Sequence, residues 1–191
     1  MQLSRNRSIL VPLSIIAVSV LGFSLSLFPL WFGMLAAWFL LAGITIIANA
    51  DQSITIPLRR LFYSVAFAYP VTASMIKRLL LTEKWPYSWL WLNRIEHFLW
   101  ATCFGVLVMP LVFSWVKSKQ AWLREALIAG IVLLIGNANE FLEYSIRLGY
   151  HLDKPHYYGD TMIDLFVNLL GAIFAGELIR LLQSGQDKPC I

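Results

Sequence analysis

The chain has 191 residues, 59% of them hydrophobic and only 14% charged, with a mean hydropathy of +0.68. A soluble domain of this size needs far more polar surface, so composition excludes a water-soluble enzyme and points to an all-α integral membrane protein. The net charge of +4 sits mostly at the ends of apolar runs, the pattern that orients membrane segments, and this argues against a nucleic-acid partner.

Six apolar runs can cross a bilayer, at residues 9–28, 31–48, 61–81, 95–116, 125–144 and 161–182. Backbone in hydrocarbon must satisfy its own hydrogen bonds, and the runs lack the alternation of a membrane barrel, so each is expected to be a helix in a bundle of about six spans. The spans consume most of the chain. A single membrane domain over 1–191 is expected, with an N-terminal helical hairpin over 1–60 and a core over 90–182.

The first run follows Arg5 and Arg7 as a secretory leader would, yet it exceeds a leader's apolar core and no small-residue cleavage site follows it. It is read as a retained span. The third run is interrupted by Pro70 and carries Lys77 and Arg78, which suits either a full span with snorkelling side chains or a re-entrant segment. Between the third and fourth runs, residues 85–91 hold three of the eight tryptophans and should rest in the headgroup region. With the N-terminus cytoplasmic, nine Lys and Arg residues fall inside and six outside, which predicts both termini on the cytoplasmic side of a plasma membrane. Cys103 lies inside an apolar run and Cys190 in the polar tail, so neither a disulfide nor a thiolate metal site is expected.

The chemistry-bearing residues fall in three clusters: Asn93–His97, Asn137–Glu143, and Tyr158–Asp164 with Asn168 beyond. The first opens the fourth run, the second closes the fifth and the third opens the sixth. An up-down topology therefore brings all three to one face, the outer one. Helical spacing strengthens this: Arg94 and His97 are three apart, Glu140 and Glu143 are three apart, and Asp160, Asp164 and Asn168 step by four. Asp164, Asn168, Gly171 and Ala175 share a stripe that passes from polar to small residues, a seam where a neighbouring helix, including one from another membrane protein, can approach closely.

Two readings of these clusters compete. In the structural one, Arg94 pairs with Glu140 or Asp164 to hold three spans together, since desolvated charges seek partners whether or not they do chemistry. In the functional one, His97, Glu140, Glu143, Asp160 and Asp164 act as acid–base groups bordering a cavity, and Arg94 and Asn168 bind its ligand. A cofactor is not required by any motif. Were a divalent cation present, His97, Glu140 and Asp164 would hold it, although no tight ligand motif such as HExxH occurs. His151 and His156 belong to a connecting loop and are left out of the site, and Glu177 is expected to pair with Arg180 three residues on.

The segments Asn93-Arg-Ile-Glu-His-Phe98, Asn139-Glu-Phe-Leu-Glu-Tyr144 and Asp160-Thr-Met-Ile-Asp-Leu-Phe-Val-Asn-Leu-Leu-Gly171 resemble the VanZ-like membrane proteins and the related YjdF-type bacterial inner-membrane family. The resemblance covers roughly residues 90–180 and implies a multi-pass cell-envelope protein. For VanZ-like members it implies a link to glycopeptide (teicoplanin) resistance, without an assigned reaction. It carries over His97, Glu140 or Glu143, Asp164, Asn168 and Gly171, while Asn93-Arg94 stands where that pattern has an acidic–basic pair.

The leading expectation is thus a membrane protein that binds or processes an envelope lipid or cell-wall precursor at its outer face. Whether it is an enzyme stays open. A small proton-coupled transporter using the same acids, and a non-catalytic assembly partner docking through Gly171 and Ala175, are the alternatives.

Overall fold

A computed structural model describes residues 29–81, 90–116, 121–149 and 156–184. All regular structure among them is helical: α1 (Pro29–Ile47), a 3-10 turn (Ala50–Ser53), α2 (Ile56–Leu81), α3 (Leu90–Trp115), α4 (Ala121–Gly149) and α5 (His156–Ser184). The expected first span, most of the aromatic stretch at 85–91, His151 and Cys190 lie outside the described residues.

Helix and apolar run do not end together. The fourth apolar run begins at 95 but α3 begins at Leu90, and the fifth ends at 144 but α4 continues to Gly149. A helix persists wherever backbone bonding and packing support it, so its polar ends outlast its hydrophobicity. Asn93 and Arg94 lie on such an overhang, whereas His97, Glu140 and Asp164 lie just inside the polar ends of the apolar runs. Three segments, Trp91–Trp115, Ala121–Leu142 and Thr161–Gln183, are long and apolar enough to cross a membrane, while Gly33–Ile47 is a shorter apolar helix. Helix α2 is long enough, with 26 residues or about 39 Å, but it is not apolar enough along its length to join that group. Six spans were expected, and three are supported on length and composition.

The three apolar helices form the centre of the fold. Helices α3 and α5 pack most extensively, followed by α4 on α5. The pairs Arg94–Asp164 and Thr102–Gly171 lie 70 and 69 residues apart in sequence, so α3 and α5 run parallel in a nearly constant register. Small residues permit this. A Cβ at Gly171 would lie 2.6 Å from Phe98 O and 2.8 Å from Ala101 Cβ, and one at Gly105 would lie 2.7 Å from Ala175 Cβ. Helix α4 runs antiparallel to both, with Gly136 beside Asn168 and Gly176 near Glu125. One core cluster draws on all five helices, from Leu35 and Trp38 through Phe62 and Leu107 to Ile128 and Ile179. The outward faces are themselves apolar: Phe141 is 74% exposed and Leu134 69%, with Phe166, Ile173 and Phe174 also exposed. Such an inside-out surface suits lipid rather than water.

Pro70 shows how the bundle accommodates a helix breaker. Proline has no N–H, so it leaves the carbonyl of Ala66, four residues earlier, without its helical donor. The indole Nε1–H of Trp38 on α1 donates to that oxygen at 3.1 Å, and the Trp38 ring packs on Tyr69 with centroids 4.8 Å apart. Trp38→Phe keeps the ring contact but removes the donor, and should cost about 1–3 kcal/mol. Most of that loss should return in the double variant Trp38→Phe/Pro70→Leu, read as unfolding midpoints in detergent micelles, because the helix then supplies its own N–H.

Candidate functional site

Because α3 and α5 are parallel and α4 opposes them, the start of α3, the end of α4 and the start of α5 meet at one end of the three-helix unit. Asp164 is the hub. Its side chain is 5% exposed, and its Oδ1 accepts from Arg94 Nη1 at 2.5 Å. Asn93 Nδ2 donates to both carboxylate oxygens at 3.2 Å. His97, one turn along α3, lies between two acids: Nε2 is 3.6 Å from Asp164 Oδ2, and Nδ1 is 3.6 Å from Glu140 Oε1. These two separations exceed a hydrogen bond; they are charge-range contacts.

Local sequence explains the arrangement. Asn93 and His97 are four residues apart on α3 and so share a face. Asp164 and Asn168 repeat that spacing on α5, and Gly136 precedes Glu140 by four on α4. The polar end is thus built in layers. His97, Glu140 and Asp164 form one layer. One turn deeper, the Asn168 amide lies against Gly136 and Trp100, where a Cβ at position 136 would come 3.1 Å from Asn168 Nδ2. Glycine gives that amide its room, and a methyl group here would require it to shift by a few tenths of an ångström. Asn168 is 1% exposed, and its Oδ1 has no hydrogen-bond partner among the described residues. Deeper still, Thr102 Oγ1 donates to Gly171 O at 3.2 Å, and beyond that the contacts are apolar, with Gly105, Ala175, Ile128 and Val132 meeting.

Of the residues expected from the sequence to form the site, Arg94, His97, Glu140 and Asp164 come together here, with Asn168 directly beneath. Glu143 and Asp160 occupy neighbouring turns of α4 and α5, but their side chains lie outside the described residues. Of the two partners open to Arg94, the structure pairs it with Asp164. Gly171 and Ala175 face α3 of the same chain. Glu177 pairs with Arg180 at 2.5 Å on an exposed face away from the cluster.

Sequence reasoning placed Asn93 in its first cluster without giving it a role, and passed over Gly136. Asn93 replaces the acid expected by resemblance, and its amide does what an ionised acid could not, donating to the Asp164 carboxylate. Its spacing of four from His97 was the available signal. Gly136, a glycine in mid-helix where alanine is favoured, was the other.

The arrangement offers a guanidinium, an imidazole, two buried carboxylates and an amide around one small volume. Such a set can bind an anion through Arg94, move a proton through His97, or hold a cation between the acids. No curated protein and no solved structure matches the chain. A family model does, across residues 8–184, far more than half of the sequence. The chain belongs to that family, described as "Predicted membrane protein (DUF2238)", and is a membrane protein with apolar transmembrane helices.

Proposed function

We propose that the chain is a six-span protein of the bacterial inner membrane with both termini cytoplasmic. Its polar end opens to the outer face and binds the anionic headgroup of an envelope lipid or cell-wall intermediate, in the manner suggested by its VanZ-like sequence features. The observation that supports this reading is the meeting of Arg94, His97, Glu140 and Asp164 from three helices at one end of an otherwise apolar bundle. Intramembrane ionisable groups are costly and are retained where they handle a ligand or ion. Arg94 would supply the anion contact, and His97, whose ring lies between Asp164 and Glu140, would exchange a proton with the ligand if chemistry follows binding.

A transporter reading is weaker, because a relay needs polar groups through the bilayer and the layers beneath Thr102 are Gly105, Ala175, Val132 and Ile128. Docking of another protein through Gly171 and Ala175 would require α3 to be displaced from that seam.

The test uses cells lacking the native copy and the full-length chain. His97→Ala and Glu140→Gln should reach the membrane at wild-type levels, fail to restore glycopeptide tolerance, and lose a headgroup-bearing lipid that copurifies with the wild type. Full restoration by both variants, with the same lipid still bound, would remove the pocket from the function.

A further inference from the structure

We propose that His97, Glu140 and Asp164 together bind a divalent first-row transition-metal ion of the Zn²⁺ or Mn²⁺ class. The inference rests on the reading of this end of the bundle as a ligand pocket, and it names what the pocket would use to hold an anionic ligand.

Three helices each deliver one donor, an imidazole nitrogen and two carboxylate oxygens, and one ligand atom from each residue lies within 4.8 Å of the other two. Glu140 and Asp164 are each 4% exposed, so this is not a solvated acidic surface. The two His97–carboxylate separations of 3.6 Å are too long for hydrogen bonds. They leave from different ring nitrogens, only one of which can face a given ion; that nitrogen and one oxygen of each acid lie within 4.8 Å of one another, against roughly 2.8–3.6 Å between neighbouring donors at bonds of about 2.0–2.2 Å. Drawing the third donor in requires a side-chain adjustment of about 1 Å.

Asp164 is also held as a metal ligand usually is. Arg94 donates to Asp164 Oδ1 and Asn93 to both carboxylate oxygens, which orients the group with Oδ2 3.6 Å from His97 Nε2. A second feature points to a bound species. Asn168, 1% exposed and one turn below Asp164, keeps an amide oxygen with no hydrogen-bond partner among the described residues. A water on the ion is the kind of donor that satisfies a buried acceptor of this sort.

The donor set selects the class of ion. An imidazole disfavours Ca²⁺ and Mg²⁺, which prefer all-oxygen shells, and the absence of a thiolate disfavours soft ions. With Arg94 beside it, such an ion makes a two-point cationic receptor for a phosphate or carboxylate headgroup.

The experiment uses the full-length, tag-free chain in detergent, stripped with EDTA and titrated separately with Zn²⁺, Mn²⁺, Mg²⁺ and Ca²⁺. Bound metal is counted by equilibrium dialysis and elemental analysis, and the melting midpoint is followed alongside. One Zn²⁺ or Mn²⁺ per chain should bind and raise the midpoint, while Mg²⁺ and Ca²⁺ bind far more weakly. His97→Gln and Glu140→Gln should each weaken binding at least about 100-fold, whereas Glu177→Gln should leave it unchanged. Substoichiometric binding by the wild type, or stoichiometric binding that survives both site variants, would overturn the proposal. Failure of the metal site stays distinguishable from failure of the lipid reading: EDTA-stripped chain that still retains its headgroup lipid speaks only against the ion.

Discussion

Asp164→Asn is expected to lower stability by about 3–5 kcal/mol, the cost of breaking a buried ion pair from one side. The carboxylate it removes is shared by Arg94, Asn93 and His97, so one substitution unpins three side chains of α3 from α5. The double variant Arg94→Met/Asp164→Leu separates structure from function. Apolar residues of similar volume can replace a buried pair at little cost or with a gain, so the double variant should recover most of the stability, read by reversible unfolding in mixed micelles. It should not recover ligand or metal binding. Were Asp164→Asn to unfold within about 0.5 kcal/mol of the wild type, below the usual effect of breaking such a pair, the pair would have no structural weight.

Gly171→Leu should be at least as damaging. Even a methyl group at this position would stand 2.6 Å from Phe98 O and 3.3 Å from Thr102 N, both backbone atoms of α3. Backbone cannot swing aside as a side chain can. Gly171→Ala alone should cost about 1–3 kcal/mol of overpacking, and leucine more, because α3 must move off α5. That movement also separates Arg94 from Asp164, whose contact depends on the same register. Gly130→Ala is the control: nothing lies within 4 Å of its added Cβ, so the higher helix propensity of alanine should make it neutral or stabilising by up to about 1 kcal/mol. The comparison is read from thermal midpoints and from a cysteine pair placed across α3 and α5. Equal behaviour of Gly171→Ala and Gly130→Ala would show that the helices do not cross as closely as described.

These two predictions address one piece of architecture from opposite ends. The small residues at 105, 171 and 175 set the distance and register of α3 against α5, and that register brings the guanidinium of one helix to the carboxylate of the other. Close packing is therefore part of the site, even though Gly171 and Ala175 carry no reactive group.

The sequence by itself determined the helical class, the apolar runs from 31 onward and the crowding of polar residues at three helix ends. These are one-dimensional properties. Hydrophobic length reports a span, and spacing by three or four reports a shared face, as for Asn93 with His97 and Asp164 with Asn168. Only the tertiary structure decided that Arg94 takes Asp164 as its partner, that Asn93 clamps the same carboxylate, that Gly136 makes room for the Asn168 amide, and that Trp38 caps the carbonyl freed by Pro70. The reason is geometric: a face specifies direction around one axis, whereas a contact also needs the axial offset and separation of a second helix. Those quantities are set by close approaches between small residues: the spacing of Gly171 and Ala175 marks the seam on one helix, but neither segment alone says which residues of which helix meet it.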